Sequence, residues 1–137
     1  MEPQFLSLAE VLEIHQDQIK RYGGSSGIRS MEMLESALGA PQTSFRGQFL
    51  HTDLQEIAAA YLFHIVMNHP FIDGNKRTGA VSSLVFLSLN GVEFVAPEDE
   101  FSEIVLRVAK SEMDKPDCAQ FFKKWSQSQK DESERSH

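Results

Sequence analysis

The fold of this chain is decided by one stretch, Asp53–Asn90, DLQEIAAAYLFHIVMNHPFIDGNKRTGAVSSLVFLSLN. Its first half repeats apolar residues every three or four positions after the capping residue Asp53, which predicts a helix. Pro70 ends that helix near Asn68, because proline cannot continue the backbone hydrogen bonding. The same period resumes from Ala80. Two apolar helices joined by a short loop are therefore predicted to pack as the central pair of the fold.

The helical pattern continues on both sides of this pair. A first helix begins at the capping signature Ser7–Glu10 and ends at Gly23-Gly24, where positive φ angles are accessible. Further helices are predicted at Met31–Leu38, from Phe101 to Val108, and from Asp117 as N-cap to Trp125. Residues 41–52 show no period and are expected to form a long loop, and Val92–Val95 an extended piece too short to seed a sheet. The predicted fold class is all-α, a compact bundle of six helices.

Length and composition bound the class of protein. The 137 residues fit one domain, predicted at 1–126, with a polar, disordered tail at 127–137. No apolar run approaches the roughly 20 residues that span a bilayer. The net charge of −7 argues against a nucleic-acid or anionic-membrane surface. A single cysteine, Cys118, cannot form an intrachain disulfide, so a reducing, cytoplasmic location is expected. The Cys118 thiol is expected to be buried.

The connection between the central helices, His69–Gly79, concentrates reactive side chains where a plain turn would suffice. Lys76 and Arg77 follow the turn Asp73–Asn75, at the start of a helix whose dipole already presents its positive end. The first backbone N–H groups of a helix lack helical acceptors and favour an anion. Each exposed cation there interacts unfavourably with the helix dipole, by about 0.3–1 kcal/mol. A bound phosphate reverses this effect, because its negative charge attracts both the cations and the dipole. The segment therefore predicts a nucleotide-phosphate site, and Gly74 lets phosphate approach the backbone.

Two further side chains complete this chemistry. Histidine can accept a proton from an attacking hydroxyl at neutral pH, which makes His69 the candidate general base. Asp73 could hold Mg²⁺, which reaches nucleotides through one or two carboxylates and phosphate oxygens. Phosphoryl or nucleotidyl transfer from ATP needs little more than these groups. Two other functions stay open: a helical binding module without turnover, and a metal-dependent hydrolase, which a single clustered His and Asp disfavour.

The segment His69–Arg77, HPFIDGNKR, resembles the motif H-x-F-x-[DE]-[AG]-N-[GK]-R of the Fic/Doc family. The stretch Gly27–Leu38 is similar to the upstream segment of the death-on-curing (Doc) branch, and the resemblance covers roughly residues 5 to 125. It implies an all-α Fic fold with the motif as the active-site loop between the central helices. The implied roles are His69 as general base, Asp73 as Mg²⁺ ligand, Phe71 as buried anchor, and Gly74, Asn75, Lys76 and Arg77 as the nucleotide-phosphate site.

Two positions of the motif region favour the Doc branch over the adenylylating Fic enzymes. Lys76 stands where those enzymes have a second glycine, and Ala80 where they have a further arginine. The resemblance to Doc implies transfer of the terminal phosphate of ATP to a Ser or Thr hydroxyl of a target protein, translation elongation factor Tu, with growth arrest as the outcome. Gly74 instead matches the adenylylating Fic enzymes, because Doc has alanine at this position. Nucleotidyl transfer (AMPylation) therefore stays the alternative.

The sequence also bears on regulation and on polar residues outside the motif. The resemblance implies a separate antitoxin protein that docks in a surface groove. The segment Ser128–Ser133 approaches the inhibitory pattern S-x-x-x-E-[GN] of other Fic enzymes and fails at its last position. His15 is predicted to be a packed core residue, and a metal-binding pair of His64 with His69 is not expected. Arg29 and Arg46 are expected to flank the motif region, in roles that the sequence leaves open.

Overall fold

The computed structural model describes residues 2–45, 48, 49, 51 and 53–128. Six α-helices and two short antiparallel ribbons lie in this part of the chain. The helices are α1 (Leu8–Tyr22), α2 (Met31–Gly39), α3 (Leu54–Asn68), α4 (Asn75–Leu89), α5 (Glu98–Ala109) and α6 (Lys115–Lys124). The ribbons pair β1 (Ser44–Phe45) with β2 (Gln48–Phe49), and β3 (Val92–Phe94) with β4 (Ser126–Ser128). The prediction of an all-α bundle is confirmed.

Helix α3 is the centre of the bundle and is buried around most of its circumference. Its residues 57–62, 65 and 66 are all buried, and α4, α6 and α2 pack against it. Helix α4 lies close to α3 at Gly79, where an added Cβ would lie 3.0 Å from Cγ2 of Val66 and 3.3 Å from the carbonyl oxygen of Leu62. The predicted central pair is therefore the core of the fold, and it fixes the loop between its two helices.

The helix ends follow the predicted caps except at α6, and α5 begins at Glu98, three residues before the predicted Phe101. Ser7 forms a full capping box with Glu10, and the Asp53 side chain caps α3. Helix α6 begins earlier than predicted, because Asp114 is its N-cap and accepts the N–H of Asp117 at 2.9 Å. The predicted N-cap Asp117 is therefore wrong by three residues. Proline suits the first turn of a helix, so the helix begins before Pro116 and includes it.

The extended segments differ from the prediction. Residues 41–52 were expected to form a long loop, but a 3₁₀ turn at Ala40–Gln42 and the β1–β2 ribbon lie in or beside this stretch. Strand β3 confirms the extended piece at Val92, but the expectation that it seeds no sheet is wrong. Two- and three-residue strands are too short to show an alternating pattern.

The end of the chain supplies the partner strand for β3. Gln127 and Ser128 belong to β4, although the sequence assigned them to a disordered tail. Backbone hydrogen bonds need no apolar side chains, so the polar composition of this segment did not reveal the strand. Residues 129–137, which hold most of the Ser128–Ser133 segment, lie outside the described residues. Along the described chain, no helix is both long and apolar enough to cross a membrane.

Candidate active site

The loop between α3 and α4 begins at His69, which is exposed to solvent. His69 is the C-cap of α3, with φ 46° and ψ 53°, in the left-handed region that non-glycine residues rarely adopt. Strained backbone of this kind persists only where the surrounding structure fixes it. The loop therefore presents an accessible imidazole from a fixed position at the end of the central helix.

Phe71 anchors the loop in the core, as the resemblance implied. Its side chain is 1% exposed and stacks on the ring of His15 from α1, with centroids 3.8 Å apart and planes 6° apart. His15 is buried, as predicted, but the sequence did not show that it touches the loop. Its Nε2 lies 2.8 Å from the carbonyl oxygen of Asp73. One histidine of α1 thus contacts both the buried anchor and the acidic residue of the loop.

Asn75 closes the loop internally. Its Oδ1 accepts the N–H of Phe71 at 2.9 Å, and its Nδ2 donates to the carbonyl oxygen of Phe71 at 3.0 Å. Because both ends of the amide are engaged, the side chain shapes the loop. The backbone N–H of Asn75, in the first turn of α4, is a separate donor that an anion could reach.

Arg29 holds the other side of the loop. Its guanidinium donates to the carbonyl oxygens of Asn68, at 2.8 Å, and His69. The backbone N–H groups of Arg29 and Ser30 both donate to the carbonyl oxygen of Pro70. A cation at a helix C-terminus satisfies carbonyls that have no helical partner and interacts favourably with the dipole. Arg29 therefore fixes the backbone that carries His69.

Asp73 presents an exposed carboxylate at the mouth of the loop. Its oxygens accept the N–H of Gly74 at 2.8 Å and of Ser25 at 3.3 Å. These hydrogen bonds, aided by the charges of Arg77 and Lys76, hold the pKa of Asp73 below its usual value. The ionised carboxylate keeps lone pairs for a cation, and one such ligand is ordinary for Mg²⁺ on a nucleotide. Within the described residues, no three His, Cys, Asp or Glu side chains converge as a metal site.

The start of α4 presents unsatisfied backbone donors. Gly74 is its N-cap, with φ 79° and ψ 17°, and no side chain caps this end. The first intrahelical bond runs from the N–H of Thr78 to the carbonyl oxygen of Gly74. The N–H groups of residues 75–77 therefore have no acceptor within the helix. Such a helix start is an anion-binding position.

Two cations flank these donors. Lys76 is exposed, and the guanidinium carbon of Arg77 lies 5.2 Å from the ring centroid of Tyr22. The ion pairs formed between described residues involve neither cation. The loop and helix start therefore join an exposed imidazole, an ionised carboxylate, backbone donors and two cations. This set can orient and neutralise a phosphate group beside a base.

A second histidine cluster lies outside the loop. Nζ of Lys115 donates to Nε2 of His64 at 3.2 Å and to Nε2 of His51 at 3.5 Å. Burial, reinforced by the charge of Lys115, lowers the pKa of His64 to about 4 and also lowers that of His51. His64 is therefore neutral at pH 7, and its Nε2 accepts a hydrogen bond from Lys115.

This cluster makes the folded state sensitive to acid. Unfolded His64 takes up a proton near pH 6.5 and folded His64 only near pH 4, so the unfolded chain binds more protons between these values. We expect the free energy of unfolding to fall as pH falls through this window. The His64→Gln variant, which keeps an acceptor for Lys115, should lose less stability over the same range. Urea unfolding at several pH values measures this difference, and parallel slopes for both proteins would contradict it.

Comparisons with known proteins identify the family of this chain. The sequence model of the Fic/DOC family matches residues 5–87, which include the whole motif loop. "Protein kinase doc" of Escherichia phage P1 is 38% identical over 94 residues, covering 68% of this chain and 74% of that protein. "Toxin Doc" of Mycolicibacterium smegmatis (strain ATCC 700084 / mc(2)155) is 34% identical over 92 residues, covering 63% and 71%. Since the model matches more than half of the chain, this protein belongs to the Fic/DOC family.

Proposed function

We propose that this protein is a Doc-like toxin that transfers the terminal phosphate of ATP to a Ser or Thr hydroxyl of a target protein. The observation that carries the proposal is the start of α4, whose first turn combines backbone N–H groups without helical acceptors with the cations Lys76 and Arg77, in the loop that begins at the exposed His69. An oriented base and a cationic anion site are the main requirements of phosphoryl transfer. The relative named a protein kinase is 38% identical to this chain, which supports the same activity here.

The choice of phosphoryl over nucleotidyl transfer rests on two positions of α4. Lys76 adds a cation in the first turn, where adenylylating Fic enzymes have glycine. Ala80, three residues after Arg77 and so on the same face of the helix, has no charge where those enzymes have arginine. The cationic side chains are thus confined to the helix start, which suits one phosphate group held at the N–H donors. Gly74 matches the other Fic enzymes, so AMPylation is the second candidate.

The proposed reaction uses each side chain in one role. The target hydroxyl oxygen forms a bond to the terminal phosphorus as His69 accepts the hydroxyl proton, and the bond from that phosphorus to the bridging oxygen breaks to release ADP. Arg77 and the helix N–H groups hold the phosphate oxygens. Asp73 would hold Mg²⁺, which supplies further neutralisation of phosphate charge when bound.

The biological setting follows from the same resemblance. The relative from Mycolicibacterium smegmatis is named a toxin. We propose that this chain likewise arrests growth, that its target is translation elongation factor Tu, and that a separate antitoxin protein restrains it by docking in a surface groove.

Labelled ATP tests the reaction type. The purified protein is incubated with cell lysate and Mg²⁺, in one arm with ATP labelled at the γ phosphate and in the other at the α phosphate. Protein labelling from the γ position alone supports phosphotransfer. Labelling from the α position instead would establish nucleotidyl transfer. No label in either arm, with growth arrest that survives loss of His69, would indicate a binding module.

The glycines before the loop give a matched pair of variants for the Asp73 carboxylate. A Cβ at Gly24 would lie 2.6 Å from Oδ2 of Asp73, whereas a Cβ at Gly23 meets nothing within 4 Å. Both residues have positive φ, 112° and 83°, so either alanine costs about 1–3 kcal/mol of stability. We expect Gly24→Ala alone to raise the Mg²⁺ concentration for half-maximal transfer. Equal Mg²⁺ dependence of the two folded variants would contradict the role of Asp73.

A further inference from the structure

We propose that His15 is a positioning residue for the transfer reaction: its ring fixes the peptide bond between Asp73 and Gly74, and through it the Asp73 carboxylate. The inference rests on the proposed function for its kinetic consequences, while its structural part stands on the contacts of α1 with the motif loop. His15 is 4% exposed and lies 58 residues before Asp73 in the sequence.

The contacts of His15 define which ring nitrogen acts as a donor and how the ring is oriented. A carbonyl oxygen can only accept, so Nε2 of His15 donates its proton to the carbonyl oxygen of Asp73, 2.8 Å away. The parallel stack on Phe71 fixes the plane of the ring. Nε2 and Cδ2 of the ring also lie 3.7 Å from the position that a Cβ of Gly74 would occupy. The imidazole therefore lies against three residues of the motif loop at once.

The hydrogen bond acts on a peptide unit that serves both functional parts of the loop. The carbonyl of Asp73 and the N–H of Gly74 belong to one planar group. That N–H donates to Oδ1 of the Asp73 side chain at 2.8 Å, and the carbonyl of Gly74 accepts the first intrahelical bond of α4. Rotation of this peptide would move the carboxylate and the first N–H donors of α4. His15 opposes that rotation.

Two substitutions separate the hydrogen bond from the packing. His15→Phe keeps an aromatic ring for the stack on Phe71 and removes the donor. His15→Gln removes the ring and supplies an amide donor. Val11→Ala is the control, because Val11 is buried on the same helix one turn earlier and its side chain has no polar atom that could hydrogen-bond the loop. A purely structural His15 would behave like Val11 once stability is matched.

The test compares these folded variants in two measurements. We expect His15→Phe to lower kcat between about 10- and 100-fold, because small displacements of catalytic groups have effects of this size, and to raise the Mg²⁺ requirement. Hydrogen exchange of the Gly74 amide should accelerate in parallel. His15→Gln should recover part of both effects, and Val11→Ala should leave both unchanged. Wild-type kcat and Gly74 exchange in His15→Phe would overturn the proposal.

Two arms keep the inference separate from the proposed reaction and from folding. If the wild-type protein transfers no group to any target, the proposed function fails, and Gly74 exchange alone decides the role of His15. If His15→Phe does not fold, nitrogen-15 NMR of the wild-type protein decides the role of His15, because it shows which ring nitrogen carries the proton. The neutral form protonated at Nε2 supports the proposal, and the form protonated at Nδ1 overturns it.

Discussion

Replacement of His69 by asparagine is expected to abolish group transfer and growth arrest while the protein stays folded. The His69 imidazole is the base that we propose for the target hydroxyl, and loss of a general base lowers rates by about 10²–10⁴-fold. Asparagine tolerates the left-handed backbone found at this position, φ 46°, better than alanine does. The side chain is exposed, so little packing is lost.

The measurement is the initial rate of label transfer from ATP, with thermal unfolding as the test of folding. Ser111→Asn is the matched control, because Ser111 has φ 60° after a different helix and takes no part in the loop. It should transfer at the wild-type rate. Transfer by His69→Asn within about twofold of wild type would rule out His69 as the base.

Loss of the Arg77 guanidinium is expected to have the second-largest effect. Arg77→Ala should lower kcat by about 10²–10³-fold, the usual effect of removing one donor to a developing negative charge. The kcat of Arg77→Lys should lie between those of the wild-type protein and Arg77→Ala, because lysine keeps the charge and loses the planar fork that binds two oxygens. Arg77 also lies over the Tyr22 ring, so a Tyr22→Leu variant should show a smaller loss through poorer placement of the guanidinium.

Steady-state kinetics against ATP separate these variants. The arginine control is Arg107→Ala on α5, where the side chain is exposed and lies outside the motif loop. It removes one positive charge, as Arg77→Ala does, and should leave kcat and KM unchanged. If the two alanine variants behave alike, the effect of Arg77 is general electrostatics and the proposed phosphate contact is wrong.

Local sequence signals predicted most of the fold. The helical period of the central pair, the capping box at Ser7 and the stop at Pro70 act between near neighbours, so their outcome is visible in the sequence. The β3–β4 ribbon was missed because its strands lie over 30 residues apart and contain too few residues for a pattern. The N-cap of α6 was misplaced because Pro116 was taken to precede the helix.

The contacts that hold the loop in place could not be predicted from the sequence, because they join residues that lie far apart in the chain. The sequence and the resemblance named His69, Asp73 and the start of α4, which are neighbours within one motif. The contacts of Arg29 with the His69 carbonyl and of His15 with the Asp73 carbonyl span 40 and 58 residues. A buried histidine looks the same in a sequence whether it faces leucine or a functional loop. Only the packing of α1 against the loop distinguishes these cases.

The central claim, transfer of one phosphate to a protein hydroxyl, is tested most directly by mass. Purified elongation factor Tu is incubated with this protein, ATP and Mg²⁺, and its intact mass and peptide masses are compared with those from a His69→Asn reaction. We expect a mass increase of one phosphate on a single Ser or Thr, which the variant does not produce. A mass increase of one AMP would contradict the claim. An unchanged mass would also contradict it, provided that growth-arrested cells show this target to be affected.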